Sequence, residues 1–110
     1  MAETTEFRRR AENLFSTEEV DELIELVAYN PTLGEVMGGT GGVRKLRWSA
    51  KGKGKRGGAR VIYYYHNEHM PIFLFTAYAK SVKTDLSPAQ RRELKRLVSA
   101  IVEEYRGKTL

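Results

Sequence analysis

Residues 38–42 read Gly-Gly-Thr-Gly-Gly, and this run constrains the fold more than any other feature of the chain. Glycines at that density carry too much backbone freedom for the interior of a helix or strand, and the hydrophobic period differs on their two sides. On the N-terminal side the spacing is helical. Phe7, Ala11, Leu14 and Phe15 form one set, and after Ser16-Thr17 a second follows at Val20, Leu23, Ile24, Val27 and Ala28. Ser16 and Glu19 have the spacing of a capping box, and Glu18, Glu19, Asp21 and Glu22 sit where a helix dipole favours negative charge. A second helix therefore starts near Thr17. Asn30-Pro31 ends it, because the residue before proline is pushed out of the α region.

Beyond the glycines the period falls to two. Val43 to Ser49 reads as a strand with Lys45 and Arg47 on one face and Leu46 and Trp48 on the other. A glycine-rich basic loop occupies residues 51–58, Arg60 to Tyr65 is β-branched and aromatic, and Ile72 to Tyr78 supplies a third strand after a turn at His66 to Met70. Ser87-Pro88 is an N-cap followed by proline at the first helical position. Leu94, Leu97, Val98, Ile101, Val102 and Tyr105 then trace an apolar stripe ending at Gly107, on a helix of about 18 residues that should pack on the sheet. The expected fold is α+β, a small antiparallel sheet with two N-terminal helices and one C-terminal helix packed on it. The chain, residues 1–110, is read as a single domain.

With 41% hydrophobic residues the chain can fill one core, and with no cysteine it can form neither a disulfide nor a thiolate metal site. Its apolar residues never run long enough to span a bilayer, and its acidic, polar start is unlike a secretion signal, so a soluble cytoplasmic protein is expected, with no membrane partner. Charge is divided sharply. Residues 1–42 hold nine acids and three bases, residues 43–110 five acids and sixteen bases, and residues 43–60 eight bases with no acid. Such a block attracts phosphate-rich partners, nucleic acid first among them.

Several motifs fall away on context. Gly52 to Gly57 matches GxGxxG, but a strand and not a helix follows it, so no helix N-terminus is available for a phosphate. His66 and His69 lie in a turn without a third ligand near in sequence, and no metal site is expected. Ser49 has no histidine near in sequence, and the early carboxylates, Glu18, Glu22 and Glu25 among them, read as solvated helix faces. Tyr63, Tyr64 and Tyr65 alternate along one strand, so at least one faces the core, while the other face could stack on bases. The basic strip remains. RNA carries its own nucleophile, the 2′-hydroxyl. A strand scissor must orient it, take its proton, stabilise charge on phosphorus and assist the leaving oxygen. Clustered cations can supply all four, and crowding by like charge lowers a lysine pKa toward a useful range.

Asn30-Pro31-Thr32-Leu33-Gly34, Gly39 to Arg47, Gly52 to Tyr64, Leu74 to Lys80 and Asp85-Leu86-Ser87 together resemble the HigB branch of the RelE/ParE toxin superfamily, over about residues 5 to 105. The resemblance implies a toxin of a type II toxin–antitoxin pair. Its RelE-like members enter the ribosomal A site and cut messenger RNA without metal or cofactor, and a cognate antitoxin, the ribosome and mRNA are the implied partners. Carried over by motif, Lys45 and Arg47 match cations that contact and activate the message. Arg60 matches an arginine that steadies the transition state, and Lys80 falls in the last basic motif of the active site. Arg44, Lys51, Lys53, Lys55, Arg56 and Lys83 are expected to bind RNA or ribosome, those on the loop as phosphate anchors. Two departures stand out. Ser81 and Leu86 occupy the region where RelE has an arginine and a tyrosine, leaving Lys80, Lys83 or Tyr78 as substitutes. The usual edge strand before the first helix is expected to be short or missing, since Met1 to Glu6 have little β character.

Two other functions stay open at this level: a ParE-like inhibitor of DNA gyrase, since one fold hosts both activities, and a non-catalytic nucleic-acid-binding module. The nuclease reading carries two further expectations. Free RNA is cut slowly or not at all, because no histidine or carboxylate lies in the strip, and the antitoxin lays acidic or apolar segments across it.

Overall fold

The computed structural model describes residues 1–48, 58–82 and 85–108. Their order is β1 (Ala2–Glu3), α1 (Thr5–Leu14), α2 (Thr17–Tyr29), β2 (Glu35–Val36), β3 (Arg44–Trp48), β4 (Ala59–Tyr64), β5 (Phe73–Ala79) and α3 (Pro88–Lys108). The strands form one sheet in the order β1-β5-β4-β3-β2. The consecutive strands β3, β4 and β5 make the expected antiparallel meander. The sheet as a whole is mixed, because β1 runs parallel to β5, pairing Ala2 with Phe73 and Glu3 with Leu74. The N-terminal edge strand is thus present and two residues long.

Local chemistry explains most boundaries. Thr4 caps α1, its hydroxyl accepting the Phe7 N–H at 2.9 Å and donating to the Phe75 carbonyl at 2.7 Å, so one side chain starts the helix and ties it to β5. The Ser16–Glu19 capping box forms in both directions, at 3.1 and 2.7 Å. The Ser87 hydroxyl accepts the Gln90 N–H at 3.2 Å and so caps α3. That helix continues through Gly107 to Lys108. Between β2 and β3 the glycine run makes a hairpin turn, with Gly39, Gly41 and Gly42 at positive φ. Thr40, fully buried, staples it by donating to the Met37 carbonyl at 2.6 Å and accepting the Val43 N–H at 3.0 Å. The hairpin contains β2, which pairs Glu35 with Lys45 and Val36 with Arg44.

The sheet separates two apolar clusters. On one face Phe7, Ala11, Phe15, Leu23 and Val27 of the N-terminal helices meet Leu46, Val61, Tyr63, Leu74 and Ala77. On the other, Met37, Val43, Ile62, Tyr64, Phe75, Tyr78 and Leu86 meet Val98 of α3, flanked by Leu94, Ile101 and Val102. Leu97, counted in the apolar stripe of α3, points outward and is 42% exposed. The register of β4 on β5 shifts between Ile62 and Tyr63, whose partners are Thr76 and Leu74. Phe75 is the extra residue of this bulge. It joins Phe73 and Tyr78 in the second cluster. Of the tyrosine triplet, Tyr63 and Tyr64 are both buried, on opposite faces.

A candidate cationic site on the sheet

Alternation along β3 puts Lys45 and Arg47 on the face that carries Val43 and α3, as the period-two pattern predicts. Register then adds their neighbours. Arg47 pairs with Arg60 and Arg60 with Tyr78, so β3, β4 and β5 present an Arg–Arg–Tyr row. Lys45, Ile62 and Thr76 form the adjacent row. Like charges directly opposite on a sheet repel, and Arg60 is 9% exposed. Among the described residues no carboxylate pairs with Arg47 or Arg60. Arg60 has one weak bond, Nη1 to the Ala59 carbonyl at 3.5 Å. An open groove of 660 Å³ runs along the outer edge of β3, with Lys45, Arg47 and Arg60 on its walls beside Leu33, Glu35 and Trp48.

Carboxylates do reach the strip, contrary to the expectation from sequence: besides Glu35, the register partner of Lys45, a second comes from beyond β5. Asp85, between β5 and α3, stands 3.8 Å from Lys45 Nζ and 2.8 Å from an Arg91 guanidinium nitrogen. Its pKa is held below the usual carboxylate value, chiefly by the bond that it accepts from the Leu86 N–H, with Lys45 and Arg91 adding to the effect. Tyr78 moves the other way. Burial first, then the Asp85 charge, raise its pKa against the lowering effect of Arg60 and Arg91, so the phenol stays neutral at ordinary pH and adds no negative charge to the arginine row.

The remaining sequence candidates are dispersed. Arg44 is on the opposite face, where its guanidinium donates to the Gly34 and Thr32 carbonyls at 2.7 and 3.2 Å and so braces the turn after α2. Lys80 follows the end of β5 in an exposed turn, its backbone N–H donating to the Gly58 carbonyl at 3.2 Å. Lys51, Lys53, Lys55, Arg56 and Lys83, with Ser49 and the GxGxxG string, lie outside the described residues. Sequence reasoning missed Asp85 and Arg91. The available signal was that Asp85 is the only acid between Glu68 and Glu93. The turn histidines separate: His66 bonds the Tyr64 hydroxyl at 2.8 Å, and exposed His69 stands 3.8 Å from Glu68. No described helix is long and apolar enough to cross a membrane.

Three helices on a five-stranded, open, mixed sheet that presents a row of cations define a RelE-like α+β protein. The family described as "RelE toxin of RelE / RelB toxin-antitoxin system" matches residues 4–109, and the chain belongs to it. It is accordingly a toxin-family member, for which a cognate antitoxin is the implied partner.

Proposed function

We propose that this chain is a ribosome-dependent endoribonuclease of the HigB-like branch, cutting messenger RNA in the A site of cytoplasmic ribosomes and so blocking translation. The observation that carries this reading is Arg60: a largely buried arginine on the wall of the open groove, directly opposite Arg47 and without a carboxylate partner among the described residues. A buried charge left unpaired is costly, and an RNA phosphate is the anion that would compensate both arginines. In the reaction the 2′-oxygen attacks phosphorus, its proton leaves, and the bond to the 5′-oxygen breaks as that oxygen gains a proton. Lys45 and Arg47 contact and activate the message, Arg60 stabilises charge on the pentacoordinate phosphorus, and Lys80 serves the leaving-group side. The loop cations Lys51, Lys53, Lys55 and Arg56, with Lys83, anchor flanking phosphates. Arg44, held by backbone carbonyls, supports the strand instead.

Asp85, the carboxylate that ion-pairs with the strip, is tied down by donors and is a poor proton acceptor. With that carboxylate engaged and no histidine in the described cluster, the reading has the substrate arrive already bent by a large scaffold, which is the reason for assigning the ribosome. The antitoxin silences the toxin by covering the cations with acidic or apolar segments.

Primer extension on a message translated in a purified system, with and without the protein, tests this directly. Expected are cuts at fixed codon positions that vanish without ribosomes. Single-turnover cleavage on saturating ribosomes should fall about 100-fold in Arg60→Ala, with little change in affinity. Intact messages with halted replication would replace this reading by gyrase inhibition, and neither effect would leave a binding module.

A further inference from the structure

Lys45 has a choice of carboxylates. Its register partner on β2 is Glu35, at the sheet edge, and across the face lies Asp85, just ahead of α3. Among the described ion pairs it takes Asp85, at 3.8 Å. That carboxylate is itself fixed before the lysine reaches it. Its Oδ1 accepts the Leu86 N–H at 2.8 Å and its Oδ2 accepts from Arg91 Nη2 at 2.8 Å. The other terminal nitrogen of Arg91 donates to the Gly38 carbonyl at 2.9 Å. The start of α3 and the glycine turn before β3 thus clamp one carboxylate over the face that carries Lys45, Arg47 and Arg60.

The separation is informative. At 3.8 Å the ammonium and carboxylate are outside the 2.7–2.9 Å range of a charge-assisted hydrogen bond. Among the described ion pairs Lys45 leans toward the α3 side, and at that separation Asp85 does not take up its donors, which stay available to an oxygen of the substrate. Its side chain is 24% exposed, and an unrestrained lysine so placed would sample many rotamers. A group needed at one point of a reacting phosphodiester loses rate in proportion to the time spent elsewhere.

We propose that Asp85 is a positioning residue of the nuclease, holding the Lys45 ammonium beside the Arg47–Arg60 row without binding substrate itself. The proposal rests on the nuclease reading above. It assigns a function to a carboxylate whose charge would otherwise oppose the approach of an RNA phosphate, and it makes the clamp from α3 to the glycine turn part of the site.

The test is a double-mutant cycle on purified protein, reading single-turnover cleavage on saturating ribosomes, a separate ribosome-binding isotherm and the thermal midpoint of each variant. Wild type is measured first. If it cuts no message, the nuclease reading itself fails, a result separate from any outcome of the cycle. With cutting established, Asp85→Asn should lower the rate about 10-fold, while affinity is unchanged or tighter, because a charge repelling phosphate has been removed. In the Lys45→Ala background the same change should cost nothing more, since a residue acting through Lys45 has nothing left to position. Asp85→Glu, which keeps the charge, should recover part of the rate and also serves if the amide variant folds poorly. Full cleavage by Asp85→Asn, loss of affinity in step with rate, or an equal loss in both backgrounds would each overturn the assignment. The last outcome would show that Asp85 acts only by anchoring α3 through Arg91.

Discussion

Arg60→Met separates the cost of the site from its use. The substitution keeps an unbranched, largely apolar side chain beside its register partner Tyr78 and removes the charge opposite Arg47. Directly paired residues on antiparallel strands have Cβ atoms about 5 Å apart. Two guanidinium groups extending from them at roughly 7 Å repel by about 2 kcal/mol at an effective dielectric of about 20. Arg47 is exposed, and screening reduces that figure toward the roughly 0.2–1 kcal/mol scale of cross-strand pair interactions, to which relief of the burial of Arg60 adds. A net gain of about 1–2 kcal/mol is expected, or roughly 4–8 °C in the melting midpoint of a domain this size. Thermal unfolding of the isolated protein should show Arg60→Met more stable than wild type at low salt, with the gap narrowing at high salt. The same variant should fail to cleave on saturating ribosomes. A lower midpoint would mean that the arginine is satisfied by its surroundings and is structural. Retained cleavage would remove it from the chemistry.

Tyr63→Phe should do the opposite, losing stability while keeping chemistry. The fully buried hydroxyl accepts the Gly34 N–H and donates to the Pro31 carbonyl, both at 2.9 Å. Denaturant titration should show a loss of about 2–3 kcal/mol, with the cleavage rate of the folded protein near wild type. Stability should also fall in alkali. Burial raises Tyr63, Tyr64 and Tyr78 above their ordinary value of 10.0. The unfolded chain therefore gives up those protons first, and the stabilisation is complete below pH 10 and lost as pH rises through the folded values. Melting midpoints measured between pH 8 and 11 should decline above 10, less steeply in Tyr64→Phe. A flat profile would contradict the burial effect.

How much of this was legible in the sequence depended on the range of the interactions. The helix starts at Thr17 and Pro88 follow from hydroxyl caps at Ser16 and Ser87 that act within three residues, and they were read correctly. β2 was not read at all, and β1 only as a strand short or missing, since two residues display no period. β1 exists only because Phe73 and Leu74 offer it an edge, and β2 because the Thr40-stapled turn folds it back on β3. Alternation put Lys45 and Arg47 together, and the same alternation separates Arg44 from them, a distinction obscured when the three are counted as one basic run. Arg60 joins by strand register, which a one-residue slip would have sent to the other face. Asp85 and Arg91 come to Lys45 from forty or more residues away, through the placement of α3, and no local pattern encodes that approach.

The chain's ends are stitched to its middle: the Ala2 N–H donates to the Ile72 carbonyl, Thr4 to Leu74 and Phe75, and Arg91 to Gly38. Order of synthesis then acquires a meaning. A nascent chain holding only the first two helices has no sheet to cover, and the row formed by β3 to β5 lacks its clamp until the start of α3 has emerged. Long-range closures of this kind come late in folding, after their loop entropy has been overcome. A cationic face held by the start of α3 is thus completed after the strands that carry it, and a chain that has made only those strands lacks the Asp85–Arg91 clamp.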